Sequence, residues 1–379
     1  MLARPTSRLV RRIVPAAVVV AAVGAMTAGT VLTAGATPAL PQRSAEQLLV
    51  DLQRSSTDGL SGTVVQTSDL GFPALPSGGG QGSADLSALI TGTHTLRVWY
   101  GGPEKARLAL LGSLGESDVI RNGRDVWVWS SDKNEALHGT LPADQADRPG
   151  VPNIPSATPS GLPSALPSTP EEAARTVLDA LDPTTSITTT GTGTVAGRDV
   201  YELVLAPKDT SSLVGSVRIA VDAERKVPLR VEVFAKGAGK PAVEVGFTRV
   251  SFATPGDEQF RFSPPPGAKV TEQSGRPDAP AAPDRTAEAA AANSKPTIVG
   301  TGWTAVAVVK NVPQPATGRQ TDANQIDQLL RTLPRTSGSW GSGRVLQSAL
   351  FSALLTDDGR LVIGAVTPDR LYEVAGSTR

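Results

Sequence analysis

Between residues 60 and 270 the chain falls into short apolar runs, many alternating apolar and polar positions and separated by turn residues. Tyr201, Leu203 and Leu205 fall on one face of a predicted strand, and Val217, Ile219 and Val221 on one face of the next. Leu229, Val231 and Val233 alternate with Arg230 and Glu232, and Val243, Val245 and Phe247 flank Glu244. A period of two predicts strands with one buried face and one wet face. Residues 92–139 read GTHTLRVWYGGPEKARLALLGSLGESDVIRNGRDVWVWSSDKNEALHG, four strand-like runs cut by Gly-Gly-Pro, Gly-Ser-Leu-Gly and Asn-Gly. Asn-Gly between two apolar runs is a strong hairpin signal. It predicts a turn at Asn122-Gly123, with strands ending near Arg121 and restarting near Arg124. Trp127 and Trp129 share one face of the second strand.

Two segments have helical spacing instead. Residues 44–54 carry Leu48, Leu49 and Leu52 in one stripe behind Ser44, a good N-cap. Around 170–181, Thr169 caps, Pro170 takes the first helical position, and Ala174, Val177, Leu178 and Leu181 form an apolar face. A single antiparallel sheet of about ten strands twists and coils, and its concave face needs cover. These two helices supply it. They either fill the hollow or lid an apolar pocket, and the pattern alone allows both.

The remaining segments set the boundaries. Residues 141–170 are rich in Pro and Ser and predict an extended flap. The domain closes with Phe260-Arg-Phe-Ser-Pro-Pro-Pro-Gly. Residues 273–296 are a Pro/Ala/charged linker. Residues 297–376 form a second, small α+β module. It is expected to hold a strand at 303–310, a helix at 321–332, a hairpin around Asp358-Gly359, and a last strand at 371–374. Arg4, Arg8, Arg11 and Arg12 precede an uncharged stretch from Ile13 to Gln42, the layout of an export signal. Residues 1–36 are therefore expected to be a signal peptide or a retained membrane anchor. Either one places the rest of the chain outside the cytoplasm.

Composition narrows the chemistry. The 379 residues carry a formal net charge of zero, which gives a nucleic-acid partner no electrostatic support. There is no cysteine, hence no disulfide and no thiol catalysis, and the two histidines, His94 and His138, are too few for a His-rich metal site. No nucleophile elbow, metalloprotease helix, phosphate loop or dinucleotide fingerprint occurs in a supporting context. The expectation is a non-enzyme without cofactor or metal.

Several motifs, taken in order, resemble the LolA/RseB superfamily of extracytoplasmic lipoprotein carriers and regulators. They are SAEQLLVDLQ, GTHTLRVWYGGPEKARLAL, IRNGRDVWVWSSDKNEA, YELVLAPK and FRFSPPPGAKV. The resemblance covers residues 44–272. It implies a mainly β fold: a curved, antiparallel, unclosed β-barrel whose hydrophobic concavity is lidded by helices. It also implies a lid-steadying role for Arg107, beside lid contacts from Leu48, Leu52, Val177 and Leu181. Leu108 replaces the aromatic that usually follows that arginine, and Asn122 replaces the turn Asp. The length leans toward the RseB type, with a second domain and a membrane anti-sigma factor as partner.

Lipid or acylated lipoprotein is the expected ligand. Burying acyl CH₂ groups is worth ~0.8 kcal/mol each, so one long chain could supply on the order of 10 kcal/mol without polar chemistry. Trp127 and Trp129 are the first candidates for the lining. Leu96, Val98, Tyr201, Leu203 and Leu205 follow, with Val231, Val233, Val245 and Phe247. Plain core packing accounts equally well for each.

Overall fold

The computed structural model describes residues 40–55, 57–71, 92–113, 115–141, 169–170, 173–174, 178, 183–273, 296–310 and 333–378. Helix α1 (Ala45–Arg54) begins at a capping box. The Gln47 amide donates to Ser44 Oγ at 3.3 Å, and the Ser44 amide donates to Gln47 Oε1 at 3.1 Å. Two backbone donors that the helix itself leaves unpaired are thereby satisfied. Leu48 and Leu52, one turn apart, are buried.

Twelve strands form one sheet. They are β1 (Leu60–Ser68), β2 (Gly92–Tyr100), β3 (Lys105–Leu111), β4 (Glu116–Asn122), β5 (Asp125–Ser130) and β6 (Glu135–Thr140), then β7 (Thr185–Val195), β8 (Arg198–Pro207), β9 (Val214–Asp222), β10 (Pro228–Ala235), β11 (Pro241–Ser251) and β12 (Lys269–Gln273). Their spatial order is β12-β6-β5-β4-β3-β2-β1-β11-β10-β9-β8-β7. Two meanders, β1–β6 and β7–β11, are thus joined side by side through β1 and β11. That seam is tight: a Cβ on Gly62 would lie 2.4 Å from the Arg249 carbonyl oxygen. Among the described strands, β12 alone pairs in parallel, on β6. β7 and β12 are the two edges, so the sheet is an unclosed barrel wall.

The sheet is strongly coiled. Three strands separate β7 from β11, which a flat sheet would place about 19 Å apart at ~4.8 Å per strand. Residues of the two strands nevertheless approach within 8 Å. Accumulated right-handed twist has rolled this half around its own apolar face.

A second sheet holds β13 (Thr297–Val299), β14 (Val306–Val309), β15 (Arg335–Gly338), β16 (Gly341–Gln347), β17 (Ser352–Thr356) and β18 (Leu361–Gly364), in the order β13-β14-β18-β17-β16-β15. Helix α2 (Pro368–Ser377) packs Leu371, Val374 and Ala375 against Val306, Leu354 and Val362. The two sheets are tied by backbone hydrogen bonds from Ala349 to the Leu70 carbonyl and from Leu213 to the Ala365 carbonyl, each 2.9 Å. The Trp303 indole also donates to Thr185 Oγ1 at 2.8 Å.

Several expectations shift. About ten strands were expected in the large sheet, and the described residues hold twelve. The hairpin loop is Gly123-Arg124, because Asn122 still pairs with Asp125. Only Gly123 has positive φ, 63°, as a type II′ turn requires. Residues 371–374 lie in α2. Leu371, Val374 and Ala375 follow helical i, i+3, i+4 spacing, and Pro368 sits in the first turn. Gly302–Thr304 is a 3₁₀ turn, so its strand begins at Val306. The helix expected at 321–332, the flap at 142–168 and the export segment lie outside the described residues.

Asp222 closes the β8–β9 region. It is fully buried, which works against its charge, yet its pKa is held below the usual carboxylate value. Arg198 Nε and Nη2 donate to it at 2.8 and 3.1 Å, and the Arg225 and Glu224 amides at 2.6 and 3.0 Å. A carboxylate with a depressed folded pKa stabilises above its unfolded value, near pH 4, and loses that contribution as pH falls through the folded value. Asp222→Asn should cost on the order of 2 kcal/mol, below the ~3–5 of a fully buried pair because Arg198 is partly exposed. Urea midpoints measured from pH 6 down to pH 3 should fall less steeply for the variant than for the parent protein. Parallel curves would contradict the assignment.

Candidate functional site

Strand register decides which side chains share a face, because directly paired residues of an antiparallel sheet point the same way. Leu203 pairs with Ile219, Ile219 with Val231, and Val231 with Val245. Val245 pairs with Gln66 in β1; two residues before Gln66, Val64 pairs with Phe247 and with Leu96. Val98 pairs with Leu108, and Leu108 with Val119. Tyr201, Leu205 and Val233 follow by alternation. Nine of the expected lining residues therefore lie on one continuous inner face.

All nine are buried, and they divide between two clusters. Tyr201, Leu203, Leu205, Val231 and Val233 join Leu48 and Leu52 of α1, Ala173 and Ala174 of the second helical segment, and Leu350 and Phe351 of the second sheet. Leu96, Val98, Val245 and Phe247 join Leu60, Val64, Leu108, Leu110 and Leu229. The cover thus comes from three distant parts of the chain. The first is also tethered: the Tyr201 hydroxyl donates to the Pro41 carbonyl at 2.8 Å, just ahead of α1. Leu178 packs at the margin of the first cluster, while Val177 and Leu181 lie outside the described residues.

The third part of the cover, the turn between β16 and β17, escaped sequence reasoning. Ser348 Oγ accepts from the Leu350 and Phe351 amides at 3.3 and 3.1 Å. That organises the turn so that Leu350 and Phe351 point into the first cluster, at 0% and 2% exposure. The apolar pair in SALFSALL is its only local signal, and nothing in the sequence says which surface it would meet.

Trp127 and Trp129 are not on the inner face. Trp127 pairs with Ile120 and Trp129 with Asp118, while Val128 between them pairs with Val119. Val119 belongs to the inner face, so both indoles point the other way. There Trp127 stacks on His138 at 4.1 Å, and Phe262 lies 5.3 and 5.8 Å from the two indoles. Phe260 is buried close to Gly101, on the strap that leads to β12. Both tryptophans pack against this strap.

Arg107 is on the outer face as well. Its Nε donates to Asp118 at 2.8 Å, and its guanidinium lies 5.2 Å from the Trp99 ring centre. It does not face α1, so it cannot steady that lid directly. A polar cleft of about 500 Å³ also opens on the outer face, lined by Arg218, Glu232 and Phe234. Burial, and then Glu244 directly opposite, raise the Glu232 pKa against the pull of nearby Arg230.

Buried polar residues also lie on the inner face, Gln66 among them. Gln66 is 0% exposed, and neither its Oε1 nor its Nε2 has a hydrogen-bond partner among the described residues. An unpaired buried amide costs about 1–3 kcal/mol. Among the described residues, no three His, Cys, Asp or Glu side chains are grouped to hold a metal. No described helix is long and apolar enough to cross a membrane.

The architecture is an open, coiled antiparallel sheet with a covered apolar face. No family model matches the chain, and no curated protein sequence matches it. Solved structures do match, and they include chains of the LolA superfamily and of MucB. One is a chain of the Pseudomonas aeruginosa MucA/MucB complex, 15% identical, covering 87% of this chain and 96% of that one, with a TM-score of 0.42. An uncharacterized conserved protein from Thermus thermophilus is 11% identical over 60% of this chain and 99% of its own, with a TM-score of 0.33. A LolA superfamily protein from Nitrosomonas europaea is 12% identical over 58% and 99%, with a TM-score of 0.21. At this identity, none of these likenesses assigns a ligand or partner to the chain.

Phe351→Ala should cost about 3–5 kcal/mol, as expected for an aromatic removed from a packed core. It should also raise anilinonaphthalene sulfonate fluorescence under native conditions by opening the inner face. Unchanged stability and unchanged dye binding would show that the turn is not part of the cover.

Proposed function

We propose that the protein is an exported, non-enzymatic binder or carrier of lipid or lipoprotein acyl chains, held against the inner face of the large sheet. The observation that carries this reading is the mainly apolar face running from β8 to β3 under a cover drawn from separate parts of the chain. Acyl chains need apolar area and a dry path, not catalytic groups. In the structure that face is closed over, so binding requires part of the cover to leave. Helix α1 is the simplest piece to move. It is ten residues long, and the irregular stretch just ahead of it is held at Pro41 by the Tyr201 hydroxyl. The reading takes 1–36 as the export segment, 44–272 as the binding domain, 273–296 as a linker and 297–376 as a second domain.

A second reading is favoured by the Leu350–Phe351 turn. Whatever displaces that turn must also move the second sheet, so ligand on the inner face would be reported at residues 297–376. This is the behaviour of an RseB-like regulator that senses lipoprotein and binds a membrane anti-sigma factor.

Native mass spectrometry of the full chain, purified from a cell envelope, tests the first reading. An acyl-bearing adduct is expected, and delipidation should remove it. Tyr201→Phe should release the ligand several-fold faster, because one buried hydrogen bond of ~1 kcal/mol corresponds to about five-fold. A bare mass together with no uptake of an acylated peptide would exclude the proposal. Partner capture that does not change on deleting 297–376 would exclude the regulator reading.

A further inference from the structure

Gln66 sits on β1, paired with Val245 on one side and His94 on the other. Its neighbours along the same strand face are Val64, in the second apolar cluster, and Ser68, with Leu70 of the first cluster beyond. Ser68 and His94 are buried too, at 6% and 3% exposure, so the inner face carries one polar island between two apolar regions. Buried side-chain amides in folded proteins almost always find partners. A leucine or methionine would fill this position at no polar cost. The carboxamide at Gln66 instead presents an unused donor and an unused acceptor inside the proposed ligand site.

We infer that Gln66 is the polar anchor of the acyl site. Its Nε2 donates to the carbonyl oxygen through which an acyl chain is linked, while the chain itself lies along Leu203, Val231 and their neighbours. The inference rests on the acyl-binding reading above. An ester and an amide both offer that carbonyl. Only an amide adds an N–H that Oε1 can accept.

Calorimetric titration of the full chain with N-methyldodecanamide, methyl dodecanoate and dodecane tests it, since the three share one apolar chain length. The parent protein should bind the amide and the ester about five-fold more tightly than dodecane, roughly the effect of one buried hydrogen bond. Gln66→Leu should abolish that excess and leave dodecane affinity within about twofold, as expected for a loss confined to polar contacts. Gln66→Met serves as a second apolar variant, and thermal melts confirm that each is folded. A larger loss for the amide than for the ester means that both atoms of the carboxamide are used. Equal losses mean that the donor acts alone. The anchor assignment fails if the parent protein binds dodecane as tightly as the other two, or if Gln66→Leu changes all three alike or none. Binding of none of the three by the parent protein overturns the acyl reading itself, and this assignment with it.

Discussion

The structure is governed by one requirement: a wide antiparallel sheet with a continuous apolar face must keep that face out of water. Leu203, Leu205, Ile219 and Leu229 are all fully buried, and each is worth roughly 1.5–3 kcal/mol relative to exposure. A flat sheet of twelve strands would need a second layer of equal width. This sheet coils instead, so β7 approaches β11 and the area to be covered shrinks. What remains is covered by α1, by the second helical segment and by a turn of the second sheet. None of these could fold stably alone: α1 has ten residues, too few for an isolated helix in water. Sheet and cover are therefore mutually dependent.

The outer face solves a different problem. Over β8–β11 it is charged, with Arg230 paired to Glu202 at 3.1 Å and to Glu232 at 3.5 Å. Over β3–β6 it is aromatic and carries its own cover, the strap with Phe260 and Phe262. That strap ends by adding β12 to β6, which shields an edge that would otherwise expose unpaired backbone groups. Trp127 and Trp129 belong to this arrangement. From β8 to β3 the inner face, by contrast, is mainly aliphatic, with Tyr100, Tyr201, Phe247 and the polar group Gln66, Ser68 and His94 among the exceptions, while on β4 Ser117 and Arg121 share it; it is the surface on which the proposed acyl chain would lie.

Linkage between the two sheets follows from the same burial. Leu350 and Phe351 count among the buried residues of the large sheet's core, although they belong to the smaller sheet's connectivity. Hydrogen bonds at Leu70 and Leu213 hold that contact in register. An event on the inner face and the position of the second sheet are thus one mechanical problem.

Much of this was legible in the chain. Period-two alternation marked β8, β10 and β11, the Ser44 capping box marked α1, and Gly123 marked the β4–β5 turn to within one residue. These signals are local, because backbone propensity, capping and side-chain alternation act over a few residues. Nine of the eleven expected lining residues share a face for the same reason. The errors were tertiary. Alternation says that Trp127 and Val128 face opposite ways, but not which of them meets the lid and which meets the strap from residue 260. That choice depends on register across several strands and on chain more than a hundred residues away. The lid role that the resemblance implied for Arg107 does not match its position on the outer face, opposite Ile120. The covering role of Phe351 and the isolation of Gln66 depend on pairings distant in sequence, and only the folded chain could establish them.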